Sequence, residues 1–427
     1  MRRRAFLKQA AAVGLAASLP LPASAQGTPA RVVVVGGGFG GATCARFLKR
    51  LSPKLEVTLV EANRLFTACP FSNEVVAGMR PLAAQQFGYE RLAAEDISLN
   101  FSEATSVDPL ARVVTLANGM KLAYDRLVMA PGIDFRWDAL PGYSEAAAEM
   151  MPHAWKAGPQ TVLLRRQLEA MPDGGTVVIS VPANPYRCPP GPYERASLIA
   201  YDLKTKKPKS KLLILDAKDA FSKQNLFQKG WAALDPGLIE WVALSSGGKV
   251  TAVDPGAMTL TTDFAIHKAD VANVIPAQKA GKIATLAAVV DQTGWCPIDP
   301  VSFASTLQPD IHVIGDAAIA GAMPKSAFAA NAQAKICAAA VATLVAGDTP
   351  IPPKLINTCY SLLAPDYGIS VAGVYHVVDG KLVDVEGAGG TSRLDAPADR
   401  AQEAKLADGW FRTITSEVFG RRQFAEP

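Results

Sequence analysis

Short runs of β-branched residues alternate with stretches of helical spacing over much of this chain. Arg31 to Val35 is a β-branched run that ends in glycines, Ala42 to Leu51 has helical spacing, and Leu55 to Glu61 is strand-like again. Together they predict a βαβ unit. A further strand is expected over Arg126 to Ala130, stopped by the turn Ala130-Pro131-Gly132. From about Gly174 a second unit of the same kind begins, with a strand over Thr176 to Val181, a helix over Glu194 to Leu203 and a strand over Lys211 to Asp216. Ile311 to Gly315 reads as a buried strand running into Asp316, and Ser326 to Val345 as an alanine-rich helix. Pro350, Pro352 and Pro353 then break the chain before a C-terminal segment of mixed strand and helix character.

The first turn carries chemistry. Gly36-x-Gly38-x-x-Gly41 follows a strand and opens a helix, the setting in which a glycine pattern signifies a dinucleotide. Gly36 permits the tight turn, Gly38 lets backbone approach a pyrophosphate, and Gly41 allows close helix packing, with the phosphates on the helix N-terminus. Glu61 ends the next strand about twenty residues on, placed to accept hydrogen bonds from a ribose. The second unit lacks such a loop. Between Ser180 and Pro192 stand Pro182, Pro185, Pro189 and Pro190. Proline has no N–H to offer and a fixed φ, so this turn is not expected to hold a nicotinamide dinucleotide. Cys188 sits in that rigid frame instead.

At 427 residues and 49% hydrophobic content the chain has the substance for two to three domains. Its net charge of +4 has a local origin. Arg2, Arg3, Arg4 and Lys8 precede a short apolar run, Ala10 to Leu21, and a small-x-small box at Ala23-Ser24-Ala25. This is the pattern of a signal peptide over residues 1–25, cut before Gln26, and Arg3-Arg4-Ala5-Phe6-Leu7-Lys8 resembles the twin-arginine export motif. Export to the periplasm is expected. Without the leader no charge excess argues for nucleic acid, and no later stretch approaches 18 uninterrupted apolar residues, so no transmembrane segment is expected. Six cysteines are too few for a disulfide scaffold of this size, and there is no Cys-x-x-Cys pair. His153, His267, His312 and His376 are scattered without metal-ligand spacing, so no metal site is expected.

Ile311-His312-Val313-Ile314-Gly315-Asp316 resembles the distal motif of FAD-dependent pyridine nucleotide-disulfide reductases, in which the aspartate binds the ribityl chain. Ala130-Pro131-Gly132 looks like that family's Ala-Thr-Gly turn. With the glycine loop these make FAD the expected dinucleotide. Lys325, at the entrance of the alanine-rich helix, reads either as a cofactor contact or as a solvated lysine.

Four cysteine-bearing segments extend the resemblance to the whole mature chain: Thr67-Ala68-Cys69-Pro70-Phe71-Ser72-Asn73-Glu74, Arg187-Cys188-Pro189-Pro190-Gly191-Pro192-Tyr193-Glu194-Arg195-Ala196, Gly294-Trp295-Cys296-Pro297 and Asn357-Thr358-Cys359-Tyr360-Ser361. The chain resembles the flavoprotein subunits of flavocytochrome c sulfide dehydrogenases. That resemblance implies an α/β, glutathione-reductase-like fold. An FAD-binding domain would be built from 27–160 and 281–348, and a second Rossmann-like domain without the NAD fingerprint from 161–280. A smaller C-terminal α+β domain over 349–427 would face a c-type cytochrome. Cys69 would bond covalently to the flavin, although Pro70-Phe71 follows it where the family has a pair such as Tyr-Leu; a buried free thiol is the alternative. Cys188 and Cys359 would form a redox-active disulfide that hydrosulfide opens at Cys188, with Glu194 as proton acceptor. A cross-link between domains and a surface carboxylate are the plainer readings of those residues. Cys44 and Cys337 lie on apolar helices and read as core thiols, and Cys296 is read as structural. The competing functions are a flavoprotein that reactivates a sulfur-carrying partner, a non-catalytic cytochrome-binding flavoprotein, and an NADH-dependent reductase.

Overall fold

A computed structural model describes residues 29–396 and 398–420, so the expected leader lies outside the described residues. Along the chain come β1 (Arg31–Val35), α1 (Phe39–Leu51), β2 (Glu56–Glu61), the short α2 (Ser72–Val76), β3 (Ser98–Phe101) and β4 (Arg126–Met129). The second series is β5 (Thr176–Val181), α3 (Gly191–Lys206), β6 (Lys211–Asp216), α4 (Gln224–Leu234), β7 (Ile239–Val242) and β8 (Val271–Val274). Then follow β9 (Ile311–Val313), α5 (Ala327–Val345), β10 (Lys354–Ala364), β11 (Tyr367–Val378), β12 (Lys381–Asp384) and α6 (Asp399–Phe419).

The first sheet is parallel, in the order β9-β4-β1-β2-β3. Its central strand is flanked on both sides, with Val34 registered against Leu59 and Val128, and Val32, Val33 and Val34 are buried. Such strands need a continuous apolar run, which is what the valines supply. The last strand comes from beyond the second series, so the chain leaves this sheet and returns to complete it. The second sheet, β7-β6-β5-β8, is also parallel. The third is antiparallel, with β10 paired to β11 from Lys354–His376 to Ala364–Tyr367 and β12 on its far side.

One helix and one strand have bounds other than the residue pattern implies. α3 starts at Gly191 and not at Glu194, because Pro192 falls in its first turn, where the missing N–H costs nothing. β9 ends at Val313, and Gly315–Ala317 tightens into a single 3-10 turn that presents Asp316. α5 is long and apolar enough by composition to cross a membrane, the one such helix among the described residues, but half of it is buried within the protein. It packs along α1, and Asn331 on it donates to the Thr43 hydroxyl of α1 at 2.9 Å. α6 lies across β11 and ends at Phe419, whose ring packs on Phe39, Phe66 and Phe87 beside the first glycine turn.

Candidate functional site

The carboxyl ends of β1, β2, β4 and β9 open on one cavity of about 780 Å3, which runs on to the beginning of α3 and to the middle of β10. Open parallel sheets bind ligands at this edge. Its volume falls in the upper part of the roughly 300–1,000 Å3 range of small-molecule and cofactor sites.

At one end, the glycines set how closely α1 approaches β1. Gly36 has φ +101°, and a Cβ there would lie 2.3 Å from the Ala130 carbonyl oxygen. A Cβ on Gly41 would lie 1.8 Å from the Gly36 carbonyl oxygen, so helix and turn are in backbone contact. Gly36, Gly38 and Gly40 line the cavity, with the unpaired N–H groups of the first turn of α1 beside them; Gly41 is behind the wall, in the packing role expected of it. Glu61 reaches the wall from the end of β2. One of its oxygens accepts from the Gly37 N–H at 2.7 Å and the other from the Asn63 N–H at 2.9 Å. Ala130 and Gly132 line the cavity opposite.

Asp316 occupies the middle. It lines the cavity, yet its Oδ1 is buried without a hydrogen-bond partner, and burial raises its pKa. A buried carboxylate oxygen left unpaired is costly, and a ligand hydroxyl supplies the missing donor. Its Oδ2 lies 3.7 Å from the Arg187 guanidinium. The backbone N–H of the neighbouring Gly315 is taken by Gln333 Oε1 at 2.8 Å. The glycine cradle, the donor-rich helix start and this orphaned acceptor together fit an extended dinucleotide.

Lys325 is partly buried beside the cavity wall, which begins at the next residue, Ser326. Its amine donates to the carbonyls of Asp316 at 2.8 Å and Ala318 at 2.9 Å and lies 3.9 Å from the centre of the Trp295 ring. Two carbonyls and an aromatic face satisfy the ammonium, so Lys325 braces the turn that carries Asp316. Burial lowers its pKa to about 8.

The other end of the cavity is a thiol chamber. Cys69, Cys188 and Cys359 all line it, and all are partly exposed into it. They are thiols in this structure, as are Cys44, Cys296 and Cys337, which are fully buried away from it. The Cys69 Sγ lies 3.8 Å from the Trp155 carbonyl oxygen. Cys188 takes a left-handed conformation, φ 58°, and its N–H donates to the Lys325 carbonyl at 2.8 Å, which ties the proline turn to the Asp316 turn. Burial, followed by the nearby Glu194 and Cys359, pushes the Cys188 thiol up. Cys359 lies on β10, registered against Val371, and its Sγ is 3.3 Å from the Asn357 amide nitrogen.

Glu194 points into the same chamber from α3. Its oxygens accept from the Leu362 N–H and from Asn73 Nδ2, both at 2.8 Å. Burial still raises its pKa above the usual carboxylate range. The surface-carboxylate reading of Glu194 does not hold: it lines a buried chamber.

Four polar residues that the sequence reading gave no role hold this end together. Arg195 is buried and its guanidinium donates to Asn73 Oδ1 at 3.0 Å, Asn273 Oδ1 at 2.8 Å, the Ala154 carbonyl at 2.6 Å and the His153 carbonyl at 3.1 Å. Arg187 is held by the Trp155 carbonyl and Asp316. Asn73 joins Arg195 to Glu194. Lys223, at the left-handed residue before α4, donates to the Cys359 carbonyl at 3.0 Å and to Ser361 Oγ at 2.8 Å. The residues adjacent to Cys188 and Cys69 in sequence were at least within the motifs; Lys223 was not.

Comparison with known proteins agrees with this geometry. A family model of pyridine nucleotide-disulphide oxidoreductases matches residues 30–160. The model of the central region of the sulfide dehydrogenase (flavocytochrome c) flavoprotein chain matches 161–276, and that of the flavin-binding region of flavocytochrome c sulphide dehydrogenase matches 351–419. A sulfide dehydrogenase (flavocytochrome c) flavoprotein chain from Chlorobaculum thiosulfatiphilum is 62% identical over 45 residues, 94% of that sequence and 10% of this one. A sulfide-quinone reductase of Aquifex aeolicus is 31% identical over 174 residues, 40% of this chain and 39% of that protein. In structure the chain is similar to a sulfide:quinone oxidoreductase from Aquifex aeolicus, with TM-score 0.71 and 18% identity over 92% of each chain. The fold is thus of the α/β class expected, and the chain belongs to the family of flavocytochrome c sulfide dehydrogenase flavoprotein chains.

Proposed function

We propose that this protein oxidises hydrosulfide to persulfide or polysulfide sulfur, using FAD and a disulfide between Cys188 and Cys359, and passes the electrons to a c-type cytochrome subunit. The observation that carries the reading is a single cavity with a dinucleotide cradle at one end and the thiols of Cys188 and Cys359 at the other. Family membership supports sulfide as substrate and a cytochrome as partner. The proline turn before α3 argues against a nicotinamide site, since it offers few N–H groups to a pyrophosphate. The twin-arginine leader, and with it a periplasmic location, belongs to the same proposal.

FAD would lie with its pyrophosphate at Gly36, Gly38 and the start of α1, its adenosine ribose at Glu61, its ribityl chain at Asp316 and its ring near Cys69, to which it would be bonded. Bound there, it supplies a two-electron acceptor for a thiolate and a donor of single electrons to a haem. The protein does the rest. Glu194 takes the proton of the entering sulfide. Burial raises its pKa, which makes it a stronger base than an exposed carboxylate. The hydrosulfide attacks Cys188 Sγ, the disulfide opens, and the Cys359 thiolate is released beside the cavity. Arg187 and Arg195 keep that end of the chamber positive, which favours an anionic substrate.

Anaerobic rapid mixing of the purified holoprotein with sulfide tests the reading. Fast bleaching of the flavin band is expected, followed by reduction of an added c-type cytochrome. A flavin that sulfide leaves oxidised and NADH bleaches would refute it, and would move the function to a pyridine nucleotide reductase.

A further inference from the structure

When a nucleophile opens a disulfide, one sulfur takes the new bond and the other leaves with the electron pair as a thiolate, so the direction is set by which thiolate its surroundings favour. Cys188 and Cys359 are surrounded differently. Cys188 faces the Glu194 carboxyl in a turn of prolines. Cys359 faces donors. Asn357 Nδ2 lies 3.3 Å from its Sγ, and the orientation of that amide is fixed, because Asn357 Oδ1 accepts from Ser326 Oγ at 2.6 Å. Ser326 is fixed in turn as the N-cap of α5, accepting from the Ala329 N–H at 3.0 Å. With Oδ1 on Ser326, the amide presents N–H to the sulfur. Lys223, 9% exposed, has its ammonium held by the Cys359 carbonyl and Ser361 Oγ. It lies outside the cavity wall, and its charge bears on Cys359, Glu194 and Cys188.

The geometry points to Lys223 and Asn357 as the pair that makes Cys359 the departing sulfur, Asn357 by donating to the thiolate itself and Lys223 as a positioning residue that acts through its charge. The inference rests on the sulfide-oxidising reading above. The step balances with groups already named. HS⁻ forms a bond to Cys188 Sγ, the bond between Cys188 Sγ and Cys359 Sγ breaks, and its electron pair stays on Cys359 Sγ, giving a Cys188 persulfide and a Cys359 thiolate with one negative charge before and after. The reverse direction would place the thiolate on Cys188, where Arg187 and Lys223 are set against the Glu194 carboxyl and no amide like that of Asn357 reaches the sulfur. Burial brings Lys223 down to about 8, opposed by Cys359, Glu194, Cys188 and Glu403, the titratable groups that face it. Its positive charge is thus present at neutral pH and lost as pH rises through that value.

The test uses flavin-loaded protein with Cys188→Ser, in which Cys359 cannot form the disulfide. Iodoacetamide alkylation of Cys359, read by peptide mass against pH, reports its thiolate. Adding Lys223→Gln is expected to slow alkylation at pH 7 by about tenfold. Lys223→Arg should keep the parent rate, and Asn357→Leu, close in size but without the donor, should slow it as Lys223→Gln does. Rates for Lys223→Gln and Asn357→Leu that coincide with the parent would overturn the inference. Should Lys223→Gln fail to hold flavin, Asn357→Leu decides alone. If these rate losses appear but sulfide leaves the flavin of the native-sequence protein oxidised, the sulfide reading falls and the assignment of the two residues stands.

Discussion

Arg195→Met removes the hub of the thiol chamber without changing side-chain bulk greatly. Its guanidinium serves Asn73, Asn273, His153 and Ala154 and lies 5.0 Å from the centre of the Trp155 ring. The His153 carbonyl keeps a second donor, Asn273 Nδ2 at 2.9 Å, so three acceptors lose their partner. An orphaned buried acceptor costs about 1–3 kcal/mol. Relief of the desolvated charge offsets part of that, and cavity water reaches Asn73, so a net loss of roughly 3–5 kcal/mol is expected. Against a total stability of about 5–15 kcal/mol this is severe, and the melting temperature should fall by on the order of 5 °C. Arg195→Lys keeps the charge but not the fork, and should lose roughly half as much. A second readout is independent of stability. Asn73, released from Arg195, no longer holds its amide toward Glu194, and the carboxylate loses a bond that favours its charged form. The Glu194 pKa then rises further, and the acid limb of sulfide-dependent flavin reduction moves to higher pH. Unchanged melting together with an unchanged acid limb would refute the assignment of Arg195 as the hub.

Gly41→Ala should abolish flavin loading. Its Cβ starts 1.8 Å from the Gly36 carbonyl oxygen, so α1 must retreat by roughly 1 Å or more, carrying the phosphate-facing N–H groups with it; full flavin content in the variant would sink the cradle reading. Cys69→Ser should allow flavin to be extracted by acid denaturation while the native-sequence protein keeps its colour in the pellet. Free flavin released from the native-sequence protein would show that Cys69 is not the anchor. Glu194→Gln should flatten the dependence of stability on pH. The Glu194 pKa is raised in the fold, so ionising it costs stability as pH climbs above the ordinary carboxylate value, and glutamine removes that cost. Denaturation midpoints at pH 4 and pH 7 measure it, and an unaltered slope would mean that Glu194 is not the group that titrates.

What could be read without the structure was local. The β-branched runs that became β1, β5 and β6 declare themselves within a few residues, and the first glycine turn needs only its own strand and helix. The thiol chamber is assembled from distant pieces. Lys223 and Cys359 are 136 residues apart, and Asn73 and Glu194 are 121 apart, so no spacing announces either contact. Polar residues of this kind look like solvated surface until a fold buries them. Lys325 shows the same limit: its position before α5 says nothing of the indole of Trp295 and the two turn carbonyls that hold its amine. A competing partner thirty residues upstream is invisible to a motif.

The two parallel sheets show how one topology serves two chemistries. At the end of β1, a glycine turn brings backbone N–H groups to a ligand; at the end of β5, the corresponding turn has exchanged those donors for prolines and delivers the Cys188 thiol. Cys188 keeps the left-handed backbone that such turns require, φ 58°, although it is not glycine, and non-glycine residues hold that conformation only where the surroundings enforce it. Here the Lys325 carbonyl and the Gly191 N–H grip it on either side, at 2.8 Å each. Room for the sulfur is equally particular: a Cβ on Gly191 would lie 3.0 Å from Cys188 Sγ and 2.8 Å from the Trp155 ring. The strand-to-helix crossover after β5 thus holds a sulfur atom rigidly where the one after β1 holds glycine backbone.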